Sequence, residues 1–116
     1  MKKRHIFIVE DEAINALLLK NILQKDHIIL GIAANGKDAI REINEKKPDL
    51  IIMDIRLEGE LSGIDVMNEL QATADVEHIY CTAYTDEQMI EEAMKTGPLK
   101  IIIKPVNINE LKKMLN

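Results

Sequence analysis

The sequence predicts an α/β protein in which five strands alternate with five helices around one parallel sheet. Short apolar runs recur along the chain, and each is followed by a longer segment whose apolar residues have helical spacing. Gly, Asn, Asp or Pro stands at the boundaries between these segments. Because parallel strands are joined by right-handed crossovers, strict alternation leaves a doubly wound sheet with helices on both faces.

The first two strand-helix units occupy the N-terminal part of the chain. Their strands are predicted at 5–9 (HIFIV) and 28–34 (IILGIAA). An amphipathic helix is predicted over 12–25 from apolar residues at helical spacing, namely Ile14, Leu17, Leu18 and Ile22. The second helix ends before Pro48, because a residue that precedes proline avoids the helical conformation. It is marked by Ala39, Ile40 and Ile43.

The last three units follow the same order. Their strands are predicted at 49–54, 78–82 (HIYCT) and 99–104 (LKIIIK). Apolar residues mark helix three at Ile64, Val66, Met67 and Leu70, and helix four at Ile90, Ala93 and Met94. Gly97 and Pro98 then end helix four.

Asn107 with Glu110 three residues later predicts a capping box for the last helix. That helix carries Ile108, Leu111 and Leu115.

Length and composition limit the possible classes of function. With 116 residues, 47% of them hydrophobic and 3% aromatic, we expect one domain over 1–116, an aliphatic core and no output domain. A net charge of -5 disfavours direct binding to nucleic acid. No segment resembles a signal peptide or membrane span, so we expect a cytoplasmic protein without a membrane partner. Cys81 is expected to be a small buried residue, and His5, His27 and His78 to lie at the surface.

Charged and hydroxyl side chains stand at the carboxyl ends of four predicted strands. They are Glu10 and Asp11 after strand one, Asp54 after strand three, Thr82 after strand four and Lys104 after strand five. Any one of them alone would ordinarily be a helix cap or a solvated turn residue. Ligands of such sheets bind beyond the carboxyl ends of the strands, where the strand order reverses, so the whole set predicts one shared site.

The residue types at this edge predict metal-assisted phosphoryl chemistry. Three neighbouring carboxylates repel one another, and a divalent cation with oxygen ligands relieves that repulsion. Mg²⁺ or Mn²⁺ fits better than zinc, because no His or Cys belongs to the set. Asp54 can then act as a nucleophile toward a phosphoryl group whose other oxygens are held by Lys104 and Thr82.

Four short motifs carry a family resemblance that covers essentially the whole chain. They are VEDE at 9–12, IIMDI at 51–55, CTAY at 81–84 and IIKP at 102–105. In these motifs the sequence resembles the receiver domains of two-component response regulators, chemotaxis regulators among them. The resemblance implies a flavodoxin-like fold with strand order 2-1-3-4-5. It also implies that the Lys104–Pro105 peptide bond is cis.

The resemblance also implies a role for each residue of the predicted site. Asp54 would be the phosphoacceptor, Thr82 the switch hydroxyl, and Lys104 the lysine that binds the phosphoryl group. The implied Mg²⁺ ligands are Glu10, Asp11, Asp54 and the backbone carbonyl of Arg56. Each role is assigned from the family motif in which the residue lies. These roles agree with the chemistry argued from the residue types.

The implied function is that of a signal-transducing phosphoacceptor rather than an enzyme with a separate substrate. A sensor histidine kinase or a phosphotransfer protein would donate the phosphoryl group in a Mg-dependent reaction. The face formed by helix four, strand five and helix five would then switch, and it could also form a homodimer. Small phosphodonors would support self-phosphorylation, followed by autodephosphorylation.

Other classes of function remain as alternatives. A degenerate receiver that acts only as a protein-interaction module is the main one. A flavin site is disfavoured, because the acidic segment EDEAIN (10–15) stands where a phosphate-binding loop would be needed. A haloacid-dehalogenase-type phosphatase is disfavoured because Arg56 stands where a second acid is required.

Three features depart from the family pattern. Ile101 occupies the position at which many receivers carry a Tyr or Phe rotamer switch, and Tyr84 is the candidate to replace it. Arg56 and Tyr84 are also expected to flank the path of water to Asp54, which predicts slow autodephosphorylation. The loop between Asp54 and Gly63 lacks the common proline and is one residue longer than usual.

Overall fold

The computed structural model describes residues 3–83 and 85–115, in which five strands alternate with five helices. The strands are β1 (His5–Val9), β2 (Ile28–Ala33), β3 (Leu50–Met53), β4 (Glu77–Thr82) and β5 (Lys100–Ile103). The helices are α1 (Ala13–Leu23), α2 (Gly36–Lys46), α3 (Gly63–Leu70), α4 (Glu87–Lys95) and α5 (Ile108–Leu115). The predicted order is confirmed, and the predicted boundaries differ by one or two residues, which is the usual uncertainty of element ends.

All strands of the sheet are parallel and lie in the order β2-β1-β3-β4-β5. This is the order that the flavodoxin-like resemblance implied. The chain first steps from β1 to β2 and then places β3 on the other side of β1, so the order reverses between β1 and β3. The carboxyl ends of β1 and β3 therefore border the crevice at which ligands of such sheets bind.

The core consists of two apolar layers, one on each face of the sheet, because successive side chains of a strand point to opposite faces. One layer joins Phe7, Ile51 and Tyr80 of the sheet to helices α2, α3 and α4. The other joins Ile8 and Ile102 to helices α1 and α5. Within the described residues, no helix is both long and apolar enough to cross a membrane.

Helix α1 buries a different face from the one that its apolar periodicity indicated. Its buried residues are Ala16, Leu19 and Leu23. Ile14 is 77% exposed, and Leu17 and Leu18 are each 54% exposed. The segment AINALLLKNIL is apolar around most of its circumference, so the pattern predicts a helix without identifying its buried side. Packing against the sheet selects the inner face and leaves an apolar surface outside.

Local hydrogen bonds explain where three of the helices begin. The Asn35 side chain accepts from the backbone N–H of Asp38 at 2.9 Å at the start of α2. Ser62 and Asp65 form a reciprocal capping box at the start of α3. Asn107 accepts from the backbone N–H of Glu110 at 3.1 Å at the start of α5, which is one of the two hydrogen bonds of the predicted capping box.

The prediction that all three histidines lie at the surface is wrong for two of them. His5 is exposed, but His27 and His78 are buried, with 5% and 2% of their surface accessible. Each has a partner inside the protein, since His27 Nδ1 accepts from the backbone N–H of Arg4 at 3.1 Å and His78 Nε2 lies 2.9 Å from Thr96 Oγ1. Burial lowers the pKa of both imidazoles.

Candidate functional site

Sheet hydrogen bonds extend one residue beyond the strands and position the site residues. The backbone N–H of Glu10 donates to Ala33 at 2.9 Å, and that of Asp54 donates to Val9 at 2.9 Å. At the other side of the sheet, the N–H of Lys104 donates to the carbonyl of Thr82 at 2.8 Å. These residues are therefore held by the sheet and not by mobile loops.

Lys104 links the ends of β1 and β3 at the centre of the site. Its Nζ lies 2.6 Å from Glu10 Oε1 and 2.9 Å from Asp54 Oδ2. Burial by itself lowers the pKa of this ammonium, but hydrogen bonds and charges of the two carboxylates together raise the Lys104 pKa above its usual range. Lys104 is therefore a permanent cation between two nearly buried acids, whose side chains are 3% and 9% exposed.

Three carboxylates cluster at the junction between β1 and α1. Oxygens of Glu10, Asp11 and Glu12 lie within 4.8 Å of one another. Burial, followed by the hydrogen bond and charge of Glu10, raises the pKa of the Asp11 carboxyl. Glu12 was not among the predicted site residues, although it completes the motif VEDE. Glu12 is the N-cap residue of α1, but its side chain forms no cap hydrogen bond.

Asp54 is linked to Glu10 of this cluster through Lys104. Its Oδ2 accepts from Lys104, and its Oδ1 accepts from the backbone N–H of Arg56 at 3.3 Å. The prediction grouped Asp54 with Glu10 and Asp11 as three adjacent carboxylates. In the structure, the Lys104 ammonium contacts both Glu10 and Asp54, and its charge offsets the repulsion between these two acids.

The donor set of the cluster fits a hard divalent cation. Its oxygens are all from carboxylates, which are the ligands that Mg²⁺ and Mn²⁺ prefer in proteins. Cys81 is also buried in this part of the sheet, but burial raises the pKa of its thiol to about 12. The Cys81 thiol is therefore protonated at neutral pH.

Two further predicted residues lie at the ends of β4 and β5. Thr82 is fully buried and is the last residue of β4. The Lys104–Pro105 peptide bond is cis, as the resemblance implied.

Ile101 is partly buried and pairs with Tyr80 in the adjacent strand. Tyr84 lies outside the described residues, so its predicted coupling to Thr82 stays a prediction.

The loop after Asp54 is fixed at both of its ends. A Cβ at Gly63 would overlap the backbone carbonyl oxygen of Asp54 and would lie 2.7 Å from Met53 Cγ. The N–H of Gly63 also donates to the carbonyl of Ile55 at 2.7 Å. Only glycine permits this approach of α3 to β3, so the start of α3 rests directly on the backbone that carries Asp54.

The middle of this loop contacts the residue that precedes α2. Gly59 has a φ of 89°, and Glu58 forms an isolated parallel bridge with Asn35 at the start of α2. The loop therefore bends toward the start of α2.

Comparison with known proteins identifies the family. The model of the response regulator receiver domain matches residues 6–116. The chemotaxis protein CheY of Thermotoga maritima is 33% identical over 115 residues, which are 97% of this chain and 95% of that protein. The transcriptional regulatory protein PdtaR of Mycobacterium tuberculosis is 30% identical over 93% of this chain, but that match spans only 53% of the relative.

Solved structures support the same assignment. The signal receiver domain of a modulated diguanylate cyclase from Desulfovibrio desulfuricans G20 superimposes with a TM-score of 0.91 at 28% identity. The match covers 98% of this chain and 91% of that one. Together, the family model, the relatives and the fold show that this chain belongs to the receiver domain family of two-component response regulators.

Proposed function

We propose that the chain is a phosphoacceptor and that Asp54 receives a phosphoryl group from a sensor histidine kinase or a phosphotransfer protein. The observation that carries this proposal is the position of Asp54 beside the Lys104 ammonium, at 2.9 Å. A carboxylate in this position has a cation ready to hold an oxygen of an incoming phosphoryl group. The nearby acidic cluster supplies the ligands for a metal ion.

In the proposed reaction, a carboxylate oxygen of Asp54 attacks phosphorus in line with the bond that breaks. The new phosphorus–oxygen bond forms an acyl phosphate on Asp54, while the phosphorus–nitrogen bond to the donor's histidine breaks. The electron pair of that bond returns to the imidazole. Lys104 then donates a hydrogen bond to a phosphoryl oxygen instead of to the Asp54 carboxylate. Thr82 binds a further oxygen of that group.

Glu10 and Asp11, with Asp54 and the backbone carbonyl of Arg56, are the proposed ligands of Mg²⁺ or Mn²⁺. When bound, the ion would neutralise charge on the phosphoryl oxygens. The chain's own contribution is to hold Glu10 and Asp11 in the segment between β1 and α1, where Glu12 adds a third carboxylate.

The donor protein is proposed to dock on the exposed face of α1. A groove lined by Leu18, Ile22, Pro105, Val106 and Ile108 leads to Glu10 and Lys104. A donor must bring its phosphohistidine within bonding distance of Asp54, so its contact surface has to border the site. The exposed apolar face of α1 is such a surface, and burying it would stabilise the complex.

Output is proposed to use the face formed by α4, β5 and α5. Three large apolar side chains are exposed on it or beside it, namely Met94, Leu99 and Ile103. Charged pairs surround them, including Lys95 with Glu92. An apolar centre with a charged rim is the usual composition of a protein interface, and a homodimer or an output partner would cover it.

Intact-mass measurement after incubation with Mg²⁺ and acetyl phosphate tests the proposal. We expect one phosphoryl adduct on the parent, no adduct in the presence of a chelator and none on Asp54→Asn. Asp75→Asn is the matched control, because Asp75 is an exposed acid on the loop before β4. Equal adduct on Asp54→Asn would overturn the assignment, and its absence from the parent would favour a pure protein-interaction module.

A further inference from the structure

A buried hydroxyl at the end of α4 joins that helix to the sheet. Thr96 directly follows α4, and its Oγ1 lies 2.9 Å from His78 Nε2 and 2.8 Å from Tyr80 Oη. The same hydroxyl donates to the carbonyl of Ala93 at 2.7 Å. His78 and Tyr80 belong to β4, so one side chain connects the last turn of the helix to two residues of a central strand.

These contacts satisfy the hydroxyl completely. A threonine hydroxyl has one proton and two acceptor lone pairs, and here it has three partners, namely the carbonyl of Ala93, His78 Nε2 and Tyr80 Oη. Thr96, His78 and Tyr80 are 6%, 2% and 0% exposed. The two rings also meet edge to face, with centroids 5.1 Å apart. Since water does not reach this network, removing the hydroxyl would leave buried polar groups unpaired.

A second contact ties the same residue to α3. The Gln71 side chain, just past the end of α3, donates to the backbone carbonyl of Thr96 at 2.6 Å. The C-terminal end of α4 is therefore joined to both β4 and α3. At its other end, Asp86 caps the helix locally by accepting from the backbone N–H of Met89 at 3.1 Å, and residues 85–88 are exposed.

The aromatic ring beneath α4 is part of this anchor. Tyr80 pairs with Ile101 in the parallel register of β4 and β5, so the two side chains point to the same face of the sheet. The buried ring at this point of the sheet belongs to Tyr80 of β4, and its neighbour in β5 is the aliphatic Ile101. Tyr80 is fully buried and is hydrogen-bonded to Thr96, so it holds α4 in place instead of rotating outward.

We propose that Thr96 is a positioning residue that fixes the C-terminal end of α4 to β4 and α3. The hinge of α4 therefore lies at this C-terminal end, and the N-terminal end of the helix is the part that moves. That N-terminal end begins at Glu87, five positions after Thr82 in the chain. The anchor itself does not depend on phosphorylation. Its consequence, a response to phosphorylation confined to the first half of α4, rests on the proposed function.

Residue-resolved amide hydrogen exchange on the free protein tests the anchor. We expect Thr96→Val to speed exchange of the amides of residues 93–97 by about tenfold or more, with α2 unchanged. Thr96→Ser keeps the hydroxyl and should restore the parental rates. Thr73→Val is the matched control, because Thr73 Oγ1 contacts the carbonyl of Leu70 within its own turn at 3.4 Å. Tyr80→Phe removes one of the three contacts and should give a smaller, still local increase.

The outcomes separate the anchor from the proposed function. Unchanged exchange at 93–97 in Thr96→Val, or an equal increase throughout α2, would overturn the anchor. The parent is then measured with Mg²⁺ and beryllofluoride, a stable analogue of a phosphoryl group on a carboxylate. Changes near Asp54 with a response confined to the first half of α4 support the hinge, and an equal response at 93–97 refutes it. No change near Asp54 counts against the proposed function, whereas the free-protein comparison still decides the anchor.

Discussion

Lys104 makes a shorter hydrogen bond to Glu10, 94 positions away in the sequence, than to Asp54. The two distances are 2.6 Å and 2.9 Å. Glu10 is also a proposed metal ligand, so in the free protein an ammonium occupies an oxygen of the acid that a divalent cation would use. A bound cation would therefore compete with Lys104 for Glu10, and a Lys104 ammonium displaced from Glu10 would be free to bind a phosphoryl oxygen.

Lys104→Met should strengthen Mg²⁺ binding several-fold while it destabilises the metal-free protein. The competing ammonium is gone, but two nearly buried carboxylates lose their cationic partner, which typically costs about 3 kcal/mol. Calorimetric titration with Mg²⁺ and urea unfolding measure the two effects. Lys100→Met is the control, because Lys100 pairs with Glu110 at the surface and its loss should cost at most about 1 kcal/mol. Weaker Mg²⁺ binding in Lys104→Met would contradict the competition.

Asp11→Asn should stabilise the metal-free protein and weaken its binding of Mg²⁺. Burial and the neighbouring Glu10 raise the pKa of Asp11, so the folded state holds this proton more tightly than the unfolded state does. The free energy of unfolding therefore decreases as the pH rises above 3.8, the pKa of Asp11 in the unfolded state. At neutral pH the ionised Asp11 destabilises the folded protein. Because Asp11 is partly exposed, we expect a gain of only about 0.5 kcal/mol at low ionic strength.

Urea unfolding of the Asp11→Asn protein at pH 7, with and without 0.5 M salt (roughly a 4 Å screening length), measures this effect. Salt should remove most of the difference from the parent. Asp75→Asn, which changes an exposed loop acid, should have no effect in either condition. An Asp11→Asn protein that is no more stable than the parent would show that repulsion among the carboxylates of the acidic cluster does not destabilise the folded state.

Acidification should destabilise the protein through its two buried histidines. Burial lowers the pKa of His27 and His78 below 6.5, so the unfolded state binds protons that the folded state does not. Stability is therefore full above the unfolded pKa and falls as the pH drops below about 6.5, by at most about 1.4 kcal/mol per pH unit for each histidine.

Unfolding free energies at pH 7.5 and pH 5.5 (about one unit on either side of the unfolded value) test this dependence. His27→Gln should be less sensitive to acid than the parent, whereas His5→Gln should behave like the parent because His5 is exposed. Equal acid sensitivity of His27→Gln and the parent would exclude His27 as a source of the effect.

Gly63→Ala should destabilise the protein and slow phosphorylation together. The added methyl group meets the backbone carbonyl of Asp54, so α3 or the end of β3 has to shift, at a cost of about 2–3 kcal/mol. Gly59→Ala is the matched control, because nothing lies within 4 Å of its Cβ and only its φ of 89° is strained. That variant should lose about 1 kcal/mol and keep the parental rate of adduct formation by mass. Parental kinetics in Gly63→Ala would show that α3 does not position Asp54.

The order of the elements and the identity of the strand-end residues could be predicted from the sequence. Both depend on local information, since hydrophobic periodicity distinguishes strands from helices and alternation implies a parallel sheet. In a parallel sheet all carboxyl ends meet at one edge, so Glu10, Asp54 and Lys104 had to converge whatever their detailed contacts. The family motifs supplied the strand order and the cis peptide bond, which periodicity alone does not specify.

Pairings between distant residues were decided only by the tertiary structure. Helix α1 is apolar on most sides, so packing had to choose Ala16, Leu19 and Leu23 as its inner face. His78 and Thr96 are 18 residues apart and become partners only because α4 lies on β4, where burial makes each polar group require the other. A sequence pattern records which side chains are apolar or charged, whereas the partner of a buried polar group depends on how the completed sheet and helices pack.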